Sequence, residues 1–160
     1  MNIYKNFLPK KDFQKIKNYM LSDSMPWYFS DEIVDNNFDY FQFSYGFIVK
    51  GSQNCNNFMM ELISPIIKKI KTKNFYRIKA NLLTKTKKIE KHPFHIDQAT
   101  GTTGIYYLNN CNGYTEFKNN KKIKSEENKY VEFNSELLHR GTSCTDEKIR
   151  IVINFNYEYI

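Results

Sequence analysis

Two side chains that could bind a metal ion stand close together near the middle of the sequence. His95 and Asp97 are separated only by Ile96. On an extended segment the side chains of residues i and i+2 point to the same face, so the imidazole and the carboxylate can converge on one point. Imidazole nitrogen and carboxylate oxygen are both common ligands of divalent cations. The spacing therefore predicts two ligands of one metal site.

A third ligand and an anion-binding residue follow later in the chain. His139 comes 42 residues after Asp97, beyond several predicted strands, and can return to the same mouth of a β-barrel. Two histidines and one carboxylate on one face of an octahedron leave three positions open, the arrangement that non-haem Fe(II) oxygenases use. Arg150 lies eleven residues beyond His139. A guanidinium inside a barrel needs a planar anion, and a dicarboxylate co-substrate that chelates the metal would supply one. We predict that His95, Asp97 and His139 are the catalytic metal ligands.

The apolar pattern has a helical period in the first half of the chain and a strand period in the second. Residues 9–21 and 56–71 are predicted helices, and Pro65 is expected to kink the second or split it at Ser64. Residues 24–39 carry no period and are predicted to form an irregular loop. Strands are predicted at 40–49, 76–85, 102–109, 115–118, 121–124, 129–134 and 149–159.

The last predicted strand shows two different faces. Its apolar positions are Ile151, Ile153, Phe155, Tyr157 and Tyr159, and its other face begins with Arg150 and carries Asn154 and Asn156. Such alternation suits one face against helices and one face toward a polar cavity. The order of elements predicts a mainly β, α+β fold, a small antiparallel barrel or jelly roll with helices packed on one sheet. We expect a single domain, with residues 1–74 as helical support and lid region and 75–160 as the barrel core.

Composition limits the classes of protein to consider. The 160 residues carry a net charge of +7 and are 41% hydrophobic, which suffices for one core. No apolar run could cross a bilayer and no signal stretch opens the chain, so we expect a soluble, cytoplasmic protein. Cys55, Cys111 and Cys144 show no CxxC spacing and are interpreted as reduced thiols. The lysines are spread along the chain without an arginine cluster, which argues against nucleic acid as the partner.

The motifs together resemble one enzyme family. His95-x-Asp97, His139 and Arg150 match the metal triad and co-substrate anchor of the Fe(II)- and 2-oxoglutarate-dependent oxygenases. The run T-G-I-Y-Y-L-N at 103–109 resembles a strand of the prolyl 4-hydroxylase branch, and the sequence looks most like its small single-domain members from phages and bacteria. The interval from Asp97 to His139 is short, and the tyrosine that this branch often places before the HxD motif has no clear counterpart.

This resemblance implies a double-stranded β-helix, a cupin-like jelly roll, that holds Fe(II) and binds 2-oxoglutarate and O2, with ascorbate as reductant. Arg150 and Tyr107 would hold the distal carboxylate of 2-oxoglutarate. The implied activity is hydroxylation of an unactivated C–H bond, with a protein or peptide substrate favoured. Alternatives are an AlkB-like nucleic-acid demethylase, a hydroxylase of a small molecule such as a free amino acid, and a cupin-type binding module without turnover.

Several further residues have two interpretations each. Asn81, on one strand face with Arg77 and Lys79, is either a contact to co-substrate or substrate or a structural amide. Arg140 reaches either substrate or a surface carboxylate. His92 is expected to be exposed or to lie behind the ligands. Trp27 and Tyr28 either close over the site or, as favoured for Trp27, pack in the core.

Overall fold

The computed structural model describes residues 1–31, 40–70, 72 and 74–158. Two helices lie within the first half of the chain, and the longest strands follow them. In chain order the elements are β1 (Asn2–Tyr4), α1 (Lys10–Met20), β2 (Tyr28–Ser30), β3 (Gln42–Val49), β4 (Ser52–Gln53), α2 (Asn57–Ile70), β5 (Asn74–Thr84), β6 (Thr102–Tyr107), β7 (Tyr114–Phe117), β8 (Lys122–Lys124), β9 (Lys129–Asn134), β10 (His139–Gly141) and β11 (Ile149–Glu158).

The strands form two antiparallel sheets. The major sheet has the order β1-β9-β6-β11-β5-β3-β2, with β4 paired to β3, and the minor sheet has the order β10-β7-β8. Several neighbours in the major sheet, such as β1 and β9 or β6 and β11, are not consecutive in the chain, as expected when strands alternate between two facing sheets. The protein is a double-stranded β-helix, which confirms the predicted jelly roll. Strands β1 to β4 also join the major sheet. Residues 1–74 therefore contribute four strands to that sheet in addition to the two helices.

Strand β11 lies inside the major sheet, between β5 and β6, and its two faces have different neighbours. One face places Ile151, Ile153, Phe155 and Tyr157 in the large apolar core. The helices complete that core with Phe13, Ile16 and Met20 from α1 and Met59, Leu62, Ile63, Ile66 and Ile70 from α2. The other face lines a cavity between the two sheets with Arg150, Val152 and Asn154. The alternation predicted for this strand is confirmed on both faces as far as Glu158; Tyr159 lies outside the described residues.

A second, smaller apolar cluster joins the two sheets to each other. It consists of Ile105, Tyr107, Phe117, Ile123, Val131, Phe133 and Val152. Its members come from β6, β9 and β11 of the major sheet and from β7 and β8 of the minor sheet. This cluster fixes the spacing between the sheets and therefore the shape of the cavity beside it.

Helix α2 excludes one of the two outcomes predicted for Pro65. It runs from Asn57 to Ile70 with Pro65 inside it, so Pro65 does not split the helix at Ser64. Proline inside a helix costs about 3 kcal/mol or more through a lost hydrogen bond and a steric clash. Leu62, Ile63 and Ile66 around it are almost completely buried, and burial of each such side chain contributes about 1.5–3 kcal/mol. Tertiary packing therefore outweighs the local preference. Lys71, the predicted end of this helix, is outside the described residues.

Short strands account for most other differences. Tyr28–Ser30 pairs with β3, although residues 24–39 were expected to be an irregular loop throughout; positions 32–39 of that loop lie outside the described residues. The three-residue β1 and β10 and the two-residue β4 were not predicted either, because so few residues show no period. Within the described part of the chain, no helix is long and apolar enough to cross a membrane.

Candidate active site

The predicted metal ligands come together at one end of the cavity. His95 and Asp97 lie in the segment between β5 and β6, and His139 opens β10. The backbones of the two histidines are hydrogen-bonded to each other, from His95 N to His139 O at 2.9 Å and from His139 N to His95 O at 3.0 Å. One potential ligand atom from each of the three residues lies within 4.8 Å of the others. The topology thus unites the two residues of the HxD motif with a histidine 42 positions later.

Each histidine ring is oriented by the backbone carbonyl of the residue two positions before it. His139 Nδ1 lies 2.8 Å from the Leu137 carbonyl oxygen, and His95 Nδ1 lies 3.3 Å from that of Pro93. A carbonyl oxygen accepts a hydrogen bond from Nδ1–H, and in that tautomer Nε2 keeps a free lone pair. The two Nε2 atoms lie 3.6 Å (His139) and 3.9 Å (His95) from the Asp97 carboxylate oxygens. Both rings therefore present the nitrogen that a metal needs.

The Asp97 carboxylate is held from two sides. Arg77 Nη2 donates to Oδ1 at 2.8 Å, and Thr103 Oγ1 donates to Oδ2 at 2.7 Å. Burial alone would raise the pKa of Asp97, but Arg77, His139 and the Thr103 hydrogen bond together lower the pKa below its ordinary value. Burial lowers the pKa of His139, against the opposing effect of Asp97. An ionised carboxylate and a neutral imidazole are the protonation states required for metal binding.

The opposite part of the cavity contains a buried cation. The Arg150 side chain is 2% exposed, and its contacts are long: 3.4 Å from Nη1 to the Thr142 carbonyl and 3.4 Å from Nη2 to Thr115 Oγ1. Its Nε has no hydrogen-bond partner among the described residues, and no described carboxylate pairs with it. Thr115 Oγ1 also accepts a 2.8 Å hydrogen bond from Tyr107 Oη. A buried charge of this kind is stable only with a counter-ion, so the geometry suits an anionic ligand.

Glycine makes room for this guanidinium. A Cβ on Gly113 would lie 2.6 Å from Arg150 Cδ and 2.7 Å from the Ser143 carbonyl oxygen. Both distances are shorter than van der Waals contact, so any other residue at 113 would push Arg150 out of its present place. The loop before β7 is therefore shaped around the arginine.

The cavity that joins these parts has a volume of about 260 Å³. Its walls carry the metal-site residues, Arg150 and the inward faces of β5 and β11. The donor set fits the implied cofactors: two imidazoles and a carboxylate suit Fe(II), and the unpaired Arg150 suits the far carboxylate of a dicarboxylate that also reaches the metal.

The structure distinguishes between the paired interpretations made from sequence. Arg140 Nε donates to Glu116 at 2.8 Å and stacks on Phe94, so it contacts a carboxylate of the protein itself. His92 is buried, at 4% exposure, and lines the cavity. Asn81 also lines the cavity, and its Oδ1 is buried without a partner among the described residues, so that oxygen has no structural hydrogen bond. Trp27 packs against the large core, whereas Tyr28 is 64% exposed.

Tyr106 and Tyr107 face opposite sides of β6. Tyr106 belongs to the core beneath the helices, and Tyr107 belongs to the cluster between the sheets, next to Arg150. The predicted inward direction of Tyr107 is therefore what the structure shows. The sequence analysis did not predict Thr103, whose hydroxyl donates to Asp97, or Thr115, whose hydroxyl contacts Arg150 and Tyr107. Thr103 lies within the T-G-I-Y-Y-L-N run, but no feature of the sequence marked Thr115.

Comparison with known structures places the fold. A collagen prolyl hydroxylase from Paramecium bursaria Chlorella virus-1 matches 99% of this chain and 90% of its own, with TM-score 0.61 and 16% identity. The chain has the prolyl 4-hydroxylase fold. An oxidoreductase of the 2-oxoglutarate–Fe(II) oxygenase family from Burkholderia pseudomallei matches with TM-score 0.70 and 9% identity over 96% of this chain and 82% of its own.

A prolyl hydroxylase from Trichoplax adhaerens, solved with a peptide fragment of the hypoxia inducible factor oxygen degradation domain, matches with TM-score 0.63 and 17% identity. The alignment covers 98% of this chain and 82% of that one. No protein-family model and no curated protein matches the sequence. The likeness is therefore one of fold, confirming at that level the resemblance seen in the motifs.

Proposed function

We propose that the protein is an Fe(II)- and 2-oxoglutarate-dependent dioxygenase that hydroxylates an unactivated C–H bond. One observation carries the proposal: a His95–Asp97–His139 cluster shares a single cavity with a buried Arg150 that has no carboxylate partner among the described residues. A metal site alone, or a buried arginine alone, would fit many proteins. Their combination suits a metal and a dicarboxylate that bridges from the metal to the arginine.

Each residue has a defined task in this proposal. The Nε2 atoms of His95 and His139 and one Asp97 oxygen hold Fe(II), while Arg77 and Thr103 keep the Asp97 carboxylate ionised and fixed in orientation. Arg150 and Tyr107 bind the distal carboxylate of 2-oxoglutarate, and Asn81 offers its amide to the co-substrate or the substrate. When bound, Fe(II) and 2-oxoglutarate would supply the oxidation: 2-oxoglutarate is converted to succinate and CO2, one oxygen atom of O2 enters succinate, and the other is inserted into the substrate C–H bond.

Part of the cavity wall shields this chemistry with apolar side chains. Val152, Ile105 and Leu83 line it between the polar groups, and Ile105 and Val152 also belong to the apolar cluster between the sheets. An apolar wall lowers the local dielectric, which strengthens the contacts of Arg150 and Asp97 with their ligands. The protein therefore binds, orients and shields, and the cofactors carry the chemistry.

We propose a protein or peptide as substrate. The viral structure is that of a collagen prolyl hydroxylase, and the Trichoplax structure contains a bound peptide. A cavity of about 260 Å³ lies just below the usual range for small-molecule sites, roughly 300–1,000 Å³. Once 2-oxoglutarate is inside, little room is left, so a substrate would insert one side chain and keep most of its mass outside.

The decisive experiment measures succinate formed from 2-oxoglutarate with Fe(II), ascorbate and O2, in parallel with metal binding by calorimetry. We expect O2-dependent succinate release by the wild-type protein and loss of both metal binding and succinate in His139→Ala. Incubation with peptides from a cell lysate and mass spectrometry would then reveal products heavier by one oxygen atom. A protein that binds the metal and 2-oxoglutarate but releases no succinate would be a binding module, and the proposal would be rejected.

A further inference from the structure

Lys79 supplies a positive charge to the cavity that the proposed chemistry does not use. Among the described residues, three cationic side chains line the cavity, Arg77, Lys79 and Arg150, against one carboxylate, Asp97. Arg77 is paired with Asp97, and Arg150 is assigned to the distal carboxylate of 2-oxoglutarate. The charges of Fe(II) and of the doubly negative co-substrate cancel each other. Lys79 therefore remains without a counter-ion among the described residues even when both are bound.

The surroundings of Lys79 are polar but contain no acid. Its ammonium has no hydrogen-bond or ion-pair partner among the described residues, although the side chain is partly buried. Burial, followed by repulsion from Arg77, lowers the pKa of Lys79. A lysine in such a place is stabilised by a nearby anion, which favours the charged form. Surface lysines need no such partner, because water solvates them.

Two amides stand beside this lysine on the same cavity wall. Asn154 on β11 is the direct cross-strand neighbour of Lys79 on β5, and Asn81 follows Lys79 by two positions on the same face. Both amides line the cavity, and the Asn81 Oδ1 is buried without a partner among the described residues. An ammonium and an amide N–H can bind a carboxylate together, and a free amide oxygen accepts an adjacent N–H. Side chains directly opposite across two strands are close enough to share one ligand.

We infer that Lys79, Asn154 and Asn81 form a second anion subsite that binds a carboxylate of the substrate to be oxidised. The inference rests on the proposed oxygenase function and names its substrate class: a peptide or free amino acid with an acidic group, an Asp or Glu side chain or a terminal carboxylate, next to an N–H donor. The same carboxylate chemistry could come from the metal-chelating end of 2-oxoglutarate, and the experiment separates these two sources.

The test compares acids with their amides. Wild-type protein loaded with Mn(II) and 2-oxoglutarate without O2 is titrated with a peptide library of matched pairs, Asp against Asn and Glu against Gln, and with the corresponding free amino acids. We expect the wild type to bind the best acid about tenfold or more tightly than its amide, about 1.4 kcal/mol or more. Lys79→Met should abolish that preference, and Lys79→Arg should retain most of it. Lys11→Met, an exposed lysine on α1, removes the same charge away from the cavity and should change nothing.

The affinity for 2-oxoglutarate shows whether the carboxylate bound by Lys79 belongs to the co-substrate or to the substrate. Its affinity for the Mn(II)-loaded protein should be equal in the wild type and Lys79→Met. A tenfold loss in Lys79→Met would assign Lys79 to the co-substrate and overturn the inference, as would equal binding of acids and amides by the wild type, or a preference that survives in Lys79→Met. If the wild type fails to bind 2-oxoglutarate, the proposed function is wrong; the acid–amide comparison remains informative, because the charge of Lys79 does not depend on the metal. Thermal unfolding of both Lys79 variants checks that they are folded.

Discussion

Arg77 and Asp97 form an ion pair of 2.8 Å at the metal end of the cavity, between β5 and the segment that carries the HxD motif. The Asp97 side chain is only 6% exposed, whereas the Arg77 side chain is 36% exposed, so the carboxylate lies largely away from water and the arginine reaches it from a partly exposed position. The arginine also donates from Nε to Asn156 Oδ1 at 2.8 Å, which ties it to β11. In the proposed metal site, Arg77 would be a positioning residue that acts on the metal through the carboxylate that it orients.

Replacement of Arg77 should weaken metal binding. In Arg77→Gln the carboxylate keeps only its Thr103 partner, and burial then raises its pKa. We expect the affinity for Mn(II) or Fe(II) to fall about tenfold or more, as is typical for residues that orient metal ligands. The pH midpoint of metal binding should also move upward, which a purely structural defect would not cause. Arg140→Gln, an arginine paired with Glu116, is the matched control and should bind metal as the wild type does.

Replacement of Arg150 should affect the co-substrate far more than the metal. Arg150→Ala removes the guanidinium that lies beside Tyr107 and Thr115, so 2-oxoglutarate loses its proposed distal partner. Affinity for 2-oxoglutarate should fall by about two orders of magnitude, consistent with loss of a buried charged hydrogen bond worth ~3 kcal/mol. Arg150→Lys should be intermediate, because an ammonium cannot make a bidentate contact. Calorimetry with the Mn(II)-loaded proteins measures the affinity of both variants for 2-oxoglutarate. An unchanged affinity in Arg150→Ala would remove Arg150 from this role.

A methyl group at Gly113 should mimic part of that loss without touching the charge. Gly113→Ala places Cβ 2.6 Å from Arg150 Cδ, so the arginine must shift. We expect weaker 2-oxoglutarate binding with metal affinity unchanged. Gly141→Ala is the control, since its Cβ would be 3.5 Å from His92 Nδ1 and 3.7 Å from Arg150 Nη1, ordinary contact distances. Equal 2-oxoglutarate affinities in the two variants would contradict the steric argument.

His92 should make the metal-free protein sensitive to acid. Burial, followed by repulsion from Arg150 and His95, lowers the pKa of His92 to about 4, against 6.5 in the unfolded chain. Between these values the unfolded state binds more protons, so the free energy of unfolding decreases as pH falls from 6.5 to 4. The full effect is on the order of 3 kcal/mol. Urea denaturation at several pH values should show a shallower decrease in His92→Gln. His139, whose pKa is also lowered, accounts for part of the decrease that remains.

The sequence predicted the parts of the site that depend on residue type and alternation. His95 and Asp97 share a face because any extended segment places i and i+2 together, and Arg150 faces away from Ile151 for the same reason. The strand period of β11 therefore located both the apolar face and the cavity face. Their common cavity, however, required knowledge of topology, which came from the family resemblance.

The remaining features depend on registers that no local pattern encodes. Thr115 meets Arg150 because β7 and β11 belong to facing sheets, and Thr103 meets Asp97 because β6 returns beside the HxD segment. A lone threonine in a strand gives no sign of such a partner. The predicted split of α2 at Ser64 was wrong for a related reason: the burial of Ile63 and Ile66 is decided by tertiary packing, whereas helix propensity is local.

The direct main-chain pairing of His95 with His139 has a consequence for how the proposed site would acquire a metal ion. Because these two backbones are bonded to each other, two of the three proposed ligands are preorganised, and an incoming cation would not have to gather them from separate loops. A protein from which a chelator has removed the metal ion would keep its binding site and would bind metal again without refolding. Such a preorganised site does not select for Fe(II). By the Irving–Williams order, Zn(II) or Cu(II) would bind it more tightly than Fe(II), so the metal supply of the cell, more than the fold, would decide which ion is bound.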